Sequence, residues 1–167
     1  MKLRGLIDED IVNYRKTAMY LAFPQCSFKC EKESGCKMCQ NSSLMQHKII
    51  EITPEEICER YVNNPLTSAI VCAGLEPFDS RYDLLAIVEC LRHKYRCNDD
   101  IVIYTGYTED ELQDDNNVEI NFIYKNLKNY DNIVIKFGRF IPNQESHYDE
   151  VLGVKLASNN QYAKRLS

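Results

Sequence analysis

Thr17-Ala18-Met19-Tyr20-Leu21-Ala22-Phe23, stopped by Pro24, opens onto Cys26-Ser27-Phe28-Lys29-Cys30-Glu31-Lys32-Glu33-Ser34-Gly35-Cys36-Lys37-Met38-Cys39-Gln40-Asn41. An apolar run this short, ended by proline, reads as a buried strand, and the cysteine segment as the loop leaving its carboxyl end. Downstream, Thr53-Pro54-Glu55-Glu56 combines an N-cap, a proline at the first helical position and a glutamate three residues on, which predicts a helix to about Asn63. Ser68 to Cys72 is a second strand, released at Gly74, and Ser80 is expected to cap a helix with Leu84, Ile87, Val88 and Leu91 on one face. Asp100 to Tyr104 is a third strand, followed by Thr105-Gly106-Tyr107 and a second capping box from Thr108 to Glu111. Ile120, Ile123, Leu127 and Tyr130 line a further helix, Asn132 to Ile135 is a fourth strand, and Val151 to Leu156 is expected to be a fifth.

Strands alternating with helices predict an α/β fold. The strands read as apolar almost throughout, as in sheets covered on both faces. With 167 residues the chain is too short for a complete eight-stranded barrel, which takes about 250. The expectation is an incomplete (β/α) barrel or an open, curved, mostly parallel sheet in a single domain. In such folds ligands sit beyond the carboxyl ends of the strands. The cysteine loop, Gly74-Leu75-Glu76-Pro77 and Thr105-Gly106-Tyr107 all fall there, which suggests one site.

Charge and composition narrow the function. Lys and Arg number 20 against 25 Asp and Glu, for a net charge of -5, so no nucleic-acid partner is expected. No run approaches the roughly 20 apolar residues of a membrane span, and the first ten residues turn acidic where a signal peptide is apolar. The expected location is cytoplasmic, with no membrane partner. Thiols stay reduced there, so the 8 cysteines read as metal ligands, reactive groups or core hydrophobes. Cys26, Cys30, Cys36 and Cys39 crowd into one loop at spacings of three, five and two residues. Soft thiolates this close favour zinc or an iron-sulfur cluster. A zinc knot held by all four thiolates is one reading; a cluster held by three of the thiols, with one iron open to a ligand, is the other. Cys58, Cys72, Cys90 and Cys97 read as packing residues. His47, His93 and His147 share no metal-ligand spacing, and Glu109-Asp110-Glu111 reads as a solvated helix N-terminus.

The strand with its C-x3-C loop, the Cys39-Gln40-Asn41 ending and Gly74-Leu75-Glu76-Pro77-Phe78 together resemble the radical S-adenosylmethionine (radical SAM) enzymes. Among these the chain is most similar to the activating proteins of anaerobic ribonucleoside-triphosphate reductases, a group of glycyl radical enzyme activases. Tyr104-Thr105-Gly106-Tyr107, Gly138-Arg139-Phe140-Ile141 and Ala157-Ser158-Asn159-Asn160-Gln161 match that group's later elements in the same order, over about residues 17 to 163. The resemblance implies a single radical SAM domain over residues 1–167, with 1–16 as an N-terminal extension and 24–47 as the cluster-binding loop. The family spacing is C-x3-C-x2-C, whereas six extra residues separate Cys30 from Cys39 here. Cys26, Cys30 and Cys39 are therefore assigned to the cluster, with Cys36 as the rival ligand. Phe137 replaces the aspartate that precedes the glycine in many relatives.

What the resemblance implies is an oxidoreductase whose three thiolates bind a 4Fe-4S cluster, the open iron being chelated by S-adenosylmethionine. Reductive cleavage would give methionine and a 5′-deoxyadenosyl radical. The Gly74, Leu75 and Glu76 backbone, stiffened by Pro77, would meet the methionine amino group, Met38 would pack on adenine, and Thr105 and Gly106 would approach the ribose or methionine. The implied partners are a large glycyl radical enzyme, the anaerobic ribonucleotide reductase, and a reduced flavodoxin or ferredoxin-type electron donor. The alternatives are a radical enzyme acting on another small molecule or peptide, and a non-enzymatic zinc or iron-sulfur module.

Overall fold

The computed structural model describes residues 1–35, 37 and 39–166; Cys36, Met38, Ser167 and the side chain of Ser34 lie outside the described residues. In chain order the elements are β1 (Lys2–Leu3), β2 (Gly5–Asp10), β3 (Ala18–Phe23), α1 (Lys29–Ser34), β4 (Ile50–Glu51), α2 (Pro54–Val62), β5 (Ala69–Gly74) and α3 (Arg81–Glu89). They continue with β6 (Asp100–Tyr104), α4 (Glu109–Gln113), α5 (Val118–Leu127), β7 (Ile133–Phe137), β8 (His147–Asp149), β9 (Val154–Leu156) and β10 (Tyr162–Arg165). Among the described residues no helix is long and apolar enough to cross a membrane.

Six strands form one open sheet in the order β10-β7-β6-β5-β3-β2. The four inner strands, β3, β5, β6 and β7, run parallel, while β2 and β10 pair antiparallel at the edges. The mixed α/β, largely parallel expectation is met by an open sheet, and the described residues close no barrel. Both predicted capping boxes form, with the Thr53 and Thr108 hydroxyls accepting from the N3 amides of Glu56 and Glu111.

The inner strands are apolar almost throughout, and the side chains on their two faces differ in size. Leu21, Phe23, Ile70, Ile101, Ile103 and Ile135 point into the core shared with Ile57, Leu84, Val88 and Leu127 of the helices. Ala18, Ala69, Val71, Ala73, Val102 and Val134 point the other way, where Tyr14, Leu152 and Leu156 cover part of the face. The period of two survives as large against small because both faces are covered. Room for a ligand therefore exists on the small-residue face.

Two sequence expectations are corrected. The segment ending in Leu156 does not add a fifth parallel strand: β9 pairs with β8 in a separate antiparallel hairpin. Among the described residues no helix follows β7, and without a crossover the chain can return to β7 only antiparallel, as β10 does. Ser80 stands at the start of α3, but its side chain makes no cap bond. The 3-10 turn Pro77–Ser80 runs straight into the helix, and that turn is capped instead by the Glu76 carboxylate, which accepts from the Phe78 amide.

Gly74 ends β5 at a φ of 88°, where an added Cβ would lie 2.7 Å from both the Ala22 Cα and the Phe23 nitrogen. The glycine is thus demanded by the neighbouring strand β3, which cannot yield. Gly74→Ala should lower unfolding stability by roughly 2 kcal/mol or more in urea titrations, because left-handed strain and a backbone clash coincide.

Candidate functional site

The parallel pairing of β3 with β5 continues past both strands. Leu75 N–H donates to the Phe23 carbonyl at 3.2 Å, and Glu76 N–H to the Gln25 carbonyl at 2.8 Å. The cysteine segment thus leaves the sheet stitched to the Gly74-Leu75-Glu76 turn. It returns to the same place, since Asn41 Nδ2 donates to the Gly74 carbonyl at 2.7 Å. Between these ties α1 starts from Phe28 at a φ of 51° and stops at Gly35. A bulky residue held at positive φ is strained by about 1–3 kcal/mol, and the conformation persists because its surroundings impose it. Asp79 contributes by accepting from Ser27 N at 2.5 Å and from the Tyr107 hydroxyl at 2.8 Å.

Cys26, Cys30 and Cys39 are half-buried and line one cavity of about 340 Å³ beyond the strand ends. Burial pushes the Cys26 thiol up to about 12, and burial followed by the nearby Cys39 raises Cys30. The Phe28 amide donates to Cys26 Sγ at 3.2 Å, a contact that favours the thiolate once a metal displaces the proton. Among the described residues no three His, Cys, Asp or Glu side chains stand close enough to hold a single metal ion. Cys30 and Cys39 lie near one another, and Cys26 lines the same cavity. The donor set fits a 4Fe-4S cluster on softness and number.

The other wall comes from the next two strand ends. Glu76 is 5 % exposed, and its carboxylate accepts from Thr105 Oγ1 and Gly106 N, each at 2.8 Å, besides the Phe78 amide. Burial outweighs these donors and lifts its pKa to about 7. Lys136, paired in register with Tyr104, projects onto the small-residue face and into the same cavity. Its ammonium donates to the Gly138 carbonyl at 2.7 Å, and burial lowers its pKa to about 8 against the opposing pull of Glu76. Gln161 holds the rim, donating to the Gly138 carbonyl at 3.2 Å while its own oxygen takes the amides of Ala157 and Ser158.

A family model described as a 4Fe-4S single cluster domain matches residues 17–162. The chain belongs to that family. No curated protein and no solved structure matches it. Within this 4Fe-4S single cluster domain, the structure brings Cys26, Cys30, Cys39, Gly74, Leu75, Glu76, Thr105 and Gly106 to the one cavity. Met38 and the rival ligand Cys36 lie outside the described residues. Pro77 is buried in the turn and is not part of the cavity wall. Phe137 faces the helix-side core, so the position of the relatives' aspartate is a packing position here, and its neighbour Lys136 reaches the cavity instead.

Cys58, Cys72 and Cys90 are buried packing residues, and Cys97 packs against the same core. Glu109 and Glu111 are not simply solvated: Glu109 accepts from the Tyr124 hydroxyl and Lys164, and Glu111 takes Arg139 in a two-point pair. Asp79, Lys136 and Arg139 were not expected at the site. For Lys136 a signal existed, a lone charge inside the apolar run Ile133 to Phe137.

A carboxyl whose folded pKa is raised supports the fold below its unfolded value and loses that support as pH climbs through the folded value. Wild type should therefore lose stability relative to Glu76→Gln between about pH 4.5 and pH 7. The difference should change by on the order of 3 kcal/mol, checked by urea unfolding of both proteins at pH 5 and pH 7.5.

Proposed function

We propose that this 4Fe-4S single cluster domain is a radical SAM activating enzyme, which cleaves S-adenosylmethionine reductively and generates a glycyl radical on a partner enzyme. The observation that carries the reading is the cavity shared by three cysteine thiols and the ends of β5, β6 and β7. A purely structural metal knot has no use for such a space, whereas about 340 Å³ falls within the range of small-molecule pockets. When bound and reduced, the cluster would supply one electron to the sulfonium, breaking a carbon-sulfur bond to give methionine and a 5′-deoxyadenosyl radical that takes a hydrogen atom from glycine.

The protein's own residues have narrower tasks. Cys26, Cys30 and Cys39 hold the cluster, giving up their protons to do so. The Gly74 carbonyl, which keeps a second lone pair beside its bond to Asn41, is an acceptor suited to the N–H bonds of the ligand's amino group. Thr105 and Gly106 are kept in place by Glu76, leaving a narrow glycine where the ligand passes. Lys136 offers a buried donor from the fourth parallel strand. Tyr20, Ala73 and Leu156 contribute surface that limits water around the reacting carbon. The hydrogen donor is a glycine in a loop of a large glycyl radical enzyme, for which the anaerobic ribonucleoside-triphosphate reductase is the nearest analogy. A reduced flavodoxin or ferredoxin-type protein delivers the electron.

Protein purified without oxygen should contain iron and sulfide and, given dithionite and S-adenosylmethionine, should release 5′-deoxyadenosine. Cys26→Ala, Cys30→Ala and Cys39→Ala should each abolish the nucleoside product, while Cys36→Ala keeps it. Zinc in place of iron, or no nucleoside from iron-loaded protein, would sink the reading. Retained cluster in Cys39→Ala with loss in Cys36→Ala would transfer the third ligand to Cys36.

A further inference from the structure

Arg139 lies just after β7, and its guanidinium is a flat fork with five donors in fixed directions. One edge grips Glu111 of α4 through both carboxylate oxygens, Nη1 to Oε2 at 2.8 Å and Nη2 to Oε1 at 2.6 Å. The Nε turns to Oε2 of Glu33 in α1, at 3.2 Å. The arginine side chain is only 12 % exposed, and Asn160 fixes its backbone by donating to its carbonyl at 2.9 Å. A second strand of the same web comes from Lys29, which is 3.8 Å from Glu111 Oε1 and sits 4.4 Å over the Tyr107 ring.

Isolated surface ion pairs contribute little, but a two-point arginine pair with a mostly buried guanidinium is stronger and fixes geometry. α1 needs such support, because six residues are far too few for a helix to stand unaided. The pairs also meet at the site: α1 carries Cys30, and both Cys30 and Arg139, from the segment after β7, line the same cavity.

We propose that Arg139 is a positioning residue for the cysteine loop: by holding Glu33 of α1 and Glu111 of α4 together it locks the Cys30-bearing helix beside the cavity and slows release of iron from that loop. This rests on the cluster being carried by the cysteine segment, and not on what the loaded protein does to S-adenosylmethionine.

The test compares wild type, Arg139→Gln, Glu33→Gln and the double variant. In apo protein, amide hydrogen exchange over residues 29–34 should be roughly tenfold faster in Arg139→Gln, since the helix then opens locally. In anaerobically reconstituted protein, iron transfer to a ferrous chelator should accelerate by a similar factor, roughly tenfold. Glu33→Gln should show part of the effect, and the double variant should match Arg139→Gln, since one linkage is lost only once. Arg139→Lys, a point charge unable to grip two carboxylates, should fall between, and 0.5 M salt should narrow the gap between wild type and variants.

Wild-type exchange and iron release in Arg139→Gln, or a double variant equal to the product of the singles, would overturn the proposal. If Arg139→Gln does not fold, Glu33→Gln decides alone, since that side chain is 59 % exposed and its loss leaves the core intact. Iron-loaded protein that yields no 5′-deoxyadenosine would defeat the proposed function while leaving both of these readouts in force.

Discussion

The site is built around one buried carboxylate. Glu76 follows directly from the end of β5, and its two oxygens collect donors from three places: its own turn, the Thr105 hydroxyl and the Gly106 amide at the end of β6. Removing a carboxylate from water is costly unless its oxygens find donors, so the two strand ends are held at a fixed separation by the need to satisfy it. The Glu76 amide meanwhile bonds the Gln25 carbonyl, which sets the direction in which the cysteine segment departs. One side chain and its own backbone thereby place three successive loops relative to one another. Lys136 adds a second buried titratable group to the same space, so a buried acid and a buried base share the cavity wall.

Much of the sheet was legible in the sequence because its signals are local. The Thr53 and Thr108 caps, the proline after Phe23 and the short apolar runs each carry their meaning within a few residues, and the four parallel strands follow from them. Edge pairing is not local. Nothing in Gly5 to Asp10 or Tyr162 to Arg165 says which neighbour each will take, and both prove to be antiparallel borders. A size difference between the faces was present in Leu21-Ala22-Phe23 and Ala69-Ile70, but a reading that separates only apolar from polar does not register it.

The same division applies to the site. Thiols, glycines and the Gly-Leu-Glu-Pro turn were readable because their chemistry is written in residue type and spacing. The Ser-Asn-Gln segment was readable as a pattern, yet its physical work is to hold Gly138 and Arg139 in place through Asn160 and Gln161. Asp79 was silent and Arg139 readable only as part of the Gly-Arg-Phe pattern, since a charge becomes a bridge between loops only when strands far apart in the chain are brought side by side. The acidic run that opens α4 misled for the same reason, its partners Arg139 and Lys164 lying well downstream.

The hairpin of β8 and β9 and the return strand β10 have a consequence for the order of assembly. Asp149 ties the hairpin to β10 by accepting from Ala163 N, and Leu156 and Gln161 complete the cavity wall that faces the cysteines. That wall is made of contacts between residues far apart in the chain, and such contacts form late because long loops must close first. During synthesis the thiols of the cysteine loop appear well before residues 154–157 and Gln161, which line the same cavity. A ribosome-bound chain therefore displays these thiols in the open, and their shelter arrives only once β9 and Gln161 are in place.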